Sequence, residues 1–383
     1  MQDPFELPPD VLRRIPLFAE ISKVLSWSGG PVNWDLARQI AVSIAAGDAT
    51  PSPVQPSDHA EVAESVRIAE LWLTESAGMP TPTHLVEARA ATPVDWAEHA
   101  PGAFGELIDP IAAKASRAMS EASSNPSQDG MLVQALGQLA PMFMGIQAGT
   151  ILGNLARDVT GSHDTGLPTA DDAVLLVLPP IDETAQSYQL DRTSVRQWVA
   201  LRAAAYRLVF EGFAGVRTNF FARYHNYVAT LDLDLAQGME RLAQLDLSDP
   251  AGLQDALGDE GLFLHQPSPQ TATAAASVSE LLGLLEAHVD AAVSTVVSRI
   301  GDAGRIEEAF ARRAIDAGAG RRMLSSFLGL DEPASRRESS SFIKALVDAR
   351  GWPALERMWD DPAAMPTTEE ITDPARWLAR VPS

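Results

Sequence analysis

The chain contains no cysteine, which excludes disulfides, thiolate metal ligands and cysteine nucleophiles together and gives no sign of an oxidising compartment. Positive charge is scarce as well: 29 lysines and arginines stand against 51 aspartates and glutamates, a formal net charge of -22 at pH 7. That balance repels phosphate backbones and anionic membrane surfaces at long range, so nucleic acid is not an expected partner. The opening MQDPFELPPDVLRRIPLF has no basic n-region followed by an apolar run, and a cytoplasmic location is the default expectation. Also missing are the G-x-S-x-G elbow, the G-x-x-x-x-G-K-S/T loop and a G-x-G-x-x-G loop after a strand, which removes three common routes to hydrolysis and nucleotide binding. No internal repeat stands out. What the chain has is apolar mass: 46% of its 383 residues are hydrophobic, enough for a sizeable core in one large or two ordinary domains.

Periodicity makes the expected class mainly α. Asn33 reads as the N-cap of a helix through Ala46, with Trp34, Ala37, Ile40, Ala41 and Ile44 as its apolar stripe and Gly47 ending it. A second helix is expected from Asp58, with Asp58 and Glu61 as a capping box and Gly78 at its end. A helical pair fits Val94 to Ala122, followed by SSNPSQDG as a loop. Gly130 to Ala156 carries no charge and is long enough to cross a bilayer. Gln134, Gln138, Gln147, Asn154 and Pro141 make lipid exposure expensive, so the preferred reading is a core helix or helix pair. Gly145, Gly149 and Gly153 give it a flat stripe for a close neighbour within the chain, or in a homodimer. Ala173 to Leu178 is the one convincing strand, so the β element is small. Further helices are expected at Arg217 to Thr230, Ser277 to Ile300, Arg305 to Ala317, Arg321 to Leu328 and Phe342 to Ala349, with tryptophan-bearing pieces at Trp359 and Trp377. Asp232, Asp234, Asp246 and Asp249 punctuate one connection, LHQPSPQTATAAAS reads as a linker, and RRESSSF as a cap or turn. Three stretches follow, 1–129, 130–265 and 277–383, packed as one unit.

The helix at the centre of this order is Ser194 to Gly212, SVRQWVALRAAAYRLVFEG, apolar on most of its surface. In metallopeptidases of the zincin type such a helix carries H-E-x-x-H, two imidazoles on one face gripping zinc and a glutamate activating water. The same frame here reads Arg202-Ala203-Ala204-Ala205-Tyr206. Arginine offers no lone pair, alanine is no base and phenol is a poor zinc ligand. Later, Glu286 and Asp290 share a helix face, whereas His288 lies about 200° from Glu286 and points elsewhere. If Glu286 faces Arg202, the guanidinium holds the carboxylate in two hydrogen bonds in the metal's place; the alternative is that both lie on exposed faces. His225, in FFARYHNYV, reads as a bonded histidine at the core edge; Asp164, in GSHDTGLP, as a turn-capping aspartate; His59 as solvated; and His84, His99 and His265 as incidental. Tyr206 reads as packing on Phe210 with its hydroxyl bonded.

PVNWDLARQIA, GQLAPMFMGIQAG, GSHDTGLP, WVALRAAAYRLVFEG, LLEAHVD, FLGLDEPASRR and MWDDPAAMPTTEEITDP, spread over most of the chain, together resemble the actinobacterial zincin-like metallopeptidase type 2 family. The resemblance implies a zincin-like helical fold, a motif helix at Leu201 to Phe210 and a further glutamate ligand at the position of Glu286, with Ala287 in place of a glycine. Arg202, Ala203 and Tyr206 match none of the three motif residues. The leading expectation is therefore a family member without its zinc site, with no cofactor, acting as a binding or scaffold protein on a protein or peptide partner. The enzyme alternative is a zinc-dependent hydrolase with another centre, built from Glu286, Asp290 and His225 or His288. A third reading uses Gly130 to Ala156 as a membrane contact.

Overall fold

The computed structural model of the chain describes residues 29–47, 53–81, 86–123, 128–170, 173–233, 265–266, 268–315, 318–330 and 336–382. Among these, fourteen α-helices accompany two small two-stranded sheets, so the class is mainly α. His84, Asp234, Asp246, Asp249, the arm 1–28 and the tip of SSNPSQDG lie outside the described residues.

Helix α1 (Trp34–Ala46) starts where the sequence places it: the Asn33 side chain accepts from the Leu36 amide at 3.1 Å, and Gly47 ends it at φ +55°. Helix α2 (Pro56–Ser76) begins earlier than expected. Pro56 fits the first helical turn, where no amide is needed, and Asp58 becomes the third helical residue, accepting from the Gln55 amide at 3.0 Å. Helix α3 (Pro93–Ser123) is one helix running through Pro101 and Pro110, not a pair. Packing along α1 and along α4 (Gln128–Asp158) holds it continuous across the lost hydrogen bonds.

Helix α4 contains the uncharged segment, and its glycine stripe meets α1 within the chain. A Cβ on Gly145 would lie 2.6 Å from the Asn33 carbonyl, on Gly149 2.6 Å from the Ala37 carbonyl, and on Gly153 2.7 Å from Ile44 Cβ. Only glycine lets the two backbones approach so closely. By length and composition, Leu139–Asp158 and Pro269–Arg299 could each cross a membrane, yet 78% of the first apolar window and 56% of the second are buried inside the protein.

Strand β2 (Ala173–Val177) is wholly buried and stops before Leu178, which opens helix α5 (Leu178–Ser187) with prolines in its first turn. Its parallel partner β1 (Glu87–Ala91) was not expected from EARAA, which has no β-branched or aromatic residue. Helix α6 (Arg192–Gly212) is the central element, capped by Asp191 accepting from the Ser194 amide at 2.7 Å. It packs on α2, α5, β2, α7 (Ala214–Thr230) and the long α8 (Pro269–Val296). A two-residue antiparallel pair, β3 (Asp232–Leu233) with β4 (His265–Gln266), precedes α8. The stretch read as a linker is already helix from Pro269: Ser268 caps it by accepting from the Thr271 amide at 3.1 Å, and its alanines are strong helix formers.

Helices α9 (Ala303–Ile315), α10 (Ala319–Leu328), α11 (Arg336–Arg350), α12 (Pro353–Asp360), α13 (Thr368–Thr372) and α14 (Pro374–Arg380) complete the chain. The run RRESSSF is the start of α11, neither cap nor loose turn; Ser340 and Ser341 bond back to the carbonyls of Arg336 and Arg337 at 2.9 and 3.0 Å. Trp359 and Trp377 are fully buried. One cluster of buried apolar residues runs from Val32 to Val381.

Candidate functional site

Helical spacing puts Trp198, Arg202 and Tyr206 one turn apart on one face of α6. The same spacing puts Glu286 and Asp290 on one face of α8, against which α6 packs. The two faces meet. Arg202 Nη2 donates to Glu286 Oε1 at 2.8 Å and Nη1 to Asp290 Oδ1 at 2.8 Å, with the Tyr206 hydroxyl 3.5 Å from Nη2. The guanidinium is thus shared between two carboxylates, where the sequence suggested two bonds to Glu286 alone. Its carbon lies 5.4 Å from the centre of the Trp198 ring and 5.6 Å from that of Tyr206, so aromatic faces add to the enclosure.

A second guanidinium enters from α11, where Arg336 Nη2 donates to the same Glu286 Oε1 at 2.8 Å and stands 3.7 Å from Asp290 Oδ2. Two positive and two negative charges balance. Burial works against the charge on Arg202, but Glu286 and Asp290 outweigh it and hold its pKa above the ordinary arginine value. Burial pushes the Glu286 carboxyl above the ordinary glutamate value, with Arg202 pulling the other way. The loop GSHDTGLP closes one side: Gly166 turns at φ +68°, and a Cβ there would lie 3.5 Å from the Tyr206 hydroxyl and 3.7 Å from Glu286 Oε2. Arg336 was invisible to sequence reasoning, because its partner is 50 residues away and nothing local distinguishes it.

Ala203 is buried and brings only a methyl group. Tyr206 packs on Phe210 with ring centres 5.7 Å apart. His288 faces away from Glu286, fully buried beside Trp352, Trp359 and Phe213; its Nδ1 accepts from Trp359 Nε1 at 2.9 Å, and burial lowers its pKa to about 3. His225 is exposed, in ring contact with Phe221 and Tyr224 of its own helix, and does not sit bonded at the core edge. Asp164 accepts from the Thr160 amide at 3.0 Å within its loop, His163 lies edge-on to Phe210, and His59 is exposed. Asp58 and Glu61 turn out to grip Arg196, a buried arginine that Asp182 also holds, at 3.1, 2.8 and 2.7 Å. Arg207 is likewise buried between Glu70 and Glu211.

A helical chain with an apolar motif helix, a glutamate facing it from a later helix and a glycine loop across the top has the plan of a zincin-like protein. Residues 32–378 match the family model described as zincin-like metallopeptidase, and the chain belongs to that family. It is similar in fold to a protein from Chloroflexus aurantiacus solved as "a putative hydrolase with a novel fold", at TM-score 0.65 and 20% identity over 91% of this chain and 98% of that one. No curated protein matches the sequence.

Family membership implies zinc, and the donor set can be set against it. At the motif positions the chain offers a guanidinium, a methyl group and a phenol, and the two carboxylates that face them, Glu286 and Asp290, are engaged by arginines. Among the described residues no group of three or more histidines, aspartates or glutamates converges as a metal site would require. These residues do not fit a zinc ion at the motif helix, since a fixed cation at the centre repels a second one.

Proposed function

We propose that this zincin-family chain carries a tethered cation, the Arg202 guanidinium, where a metal would stand in a zincin, and that it acts as a non-catalytic binding or scaffold protein. The observation that carries the reading is the pair of 2.8 Å bonds from Arg202 to Glu286 and Asp290. A carboxylate facing a motif helix needs a positive partner, and arginine supplies one without a ligand exchange site or an activated water. The partner proposed is a protein or peptide met in the cytoplasm; the net charge of -22 speaks against nucleic acid, and self-association as a homodimer fits the same role. Tag-free protein loaded with zinc and then dialysed tests the reading. The expected outcome is no stoichiometric zinc by elemental analysis and no peptide hydrolysis. Stoichiometric retained zinc would overturn it.

A further inference from the structure

The acid pair of the site holds two guanidiniums of different standing. Arg202 is enclosed, its side chain 22% exposed between two aromatic rings. Arg336 reaches the same carboxylates from the solvent side with its own side chain 59% exposed. Water competes for the exposed Arg336 guanidinium and for Asp290, 37% exposed, so this outer pair is held more weakly than the inner one, although Glu286 itself is only 19% exposed. Arg336 therefore marks a seat that accepts a guanidinium, lies at the surface, and can change occupant while Arg202 keeps the inner bonds. The strongly negative chain draws cationic segments toward itself and raises their rate of encounter.

We propose that this outer seat is a docking point for an arginine on a basic protein segment, which displaces Arg336 and bonds Glu286 and Asp290 in its place. The proposal rests on the metal-free, non-catalytic reading of the centre and gives that reading a partner chemistry. Arginine suits the seat better than lysine. Arg336 meets both carboxylates through one nitrogen, Nη2, at 2.8 and 3.7 Å; an arginine free of the α11 backbone can turn its planar fork across the two, as Arg202 does inside, whereas an ammonium is a single point charge.

The test is a titration of the full chain with a fluorescein-labelled tri-arginine peptide. Arg336→Ala removes the competing side chain. Arg337→Ala removes the same charge from the next, exposed position and leaves the seat covered. Freeing a seat that is mostly filled by its own side chain raises affinity about three- to tenfold in Arg336→Ala, leaves Arg337→Ala at the parent value, and gives a smaller gain for a tri-lysine peptide. Adding Asp290→Asn to Arg336→Ala abolishes the gain, and Arg336→Gln reproduces the ordering should the alanine variant fold poorly. Equal gains at 336 and 337, or a gain indifferent to Asp290, would overturn the proposal in favour of general attraction. Metal analysis of the same samples separates the two ideas: stoichiometric zinc overturns both, and metal-free protein with no effect of Arg336 overturns only the docking site.

Discussion

Arg202 is held by two carboxylates and two aromatic faces, and removing it strands the acids rather than merely deleting a contact. Arg202→Ala leaves Glu286 and Asp290 facing each other with only the exposed Arg336 between them. Loss of one partner from a buried ion pair is worth about 3–5 kcal/mol; with side chains 22% and 19% exposed here, a destabilisation of about 1–3 kcal/mol is expected in chemical denaturation. An unchanged midpoint would mean the pair is ornamental. Sequence alone exposed half of this centre. Arg202 stood out because it occupies a ligand position of the zincin motif on a buried helix, and Glu286 because the family resemblance implies a further glutamate ligand there; the need of a buried arginine for an acid joined the two. Asp290 was legible only as a neighbour on the same face, and Arg336 not at all, since contact between α8 and α11 is a property of the folded chain.

At the scale of elements, the closest joint is α1 against α4. Gly149→Ala places a Cβ 2.6 Å from the Ala37 carbonyl and 2.9 Å from Ile40 Cβ, which forces the helices apart and destabilises by about 1–3 kcal/mol. Gly102→Ala is the matched control. Its Cβ meets nothing within 4 Å inside α3, so the gain in helix propensity should stabilise by about 0.5–1 kcal/mol. Urea unfolding of the two variants checks both signs. The glycine stripe and α1 were legible because small residues at intervals of four have one physical use in an uncharged helix. Three features were not. EARAA becomes a strand only because β2 lies beside it, α8 starts at Pro269 because Ser268 caps it, and α3 passes two prolines because its neighbours hold it. The strand and the proline-bearing helix are tertiary context overriding local preference, whereas the Ser268 cap is a local signal masked by the loop-like composition around it.

For the whole molecule, stability should depend on pH through His288. Its folded-state pKa of about 3 lies below the ordinary value of 6.5, so the unfolded chain takes up a proton that the folded one refuses. The stability this group contributes is complete above pH 6.5 and is lost as pH falls toward 3, at up to about 1.4 kcal/mol per pH unit. His288→Gln should flatten that limb of the stability profile; parallel profiles for parent and variant would show that the histidine does not stay neutral. The account as a whole stands on Arg202 serving as the cation of a zincin-like centre. Its most direct test is a double-mutant cycle of Arg202→Ala and Glu286→Gln read by urea unfolding. A coupling of about 1–3 kcal/mol is predicted, and additive effects, with coupling near zero, would contradict it.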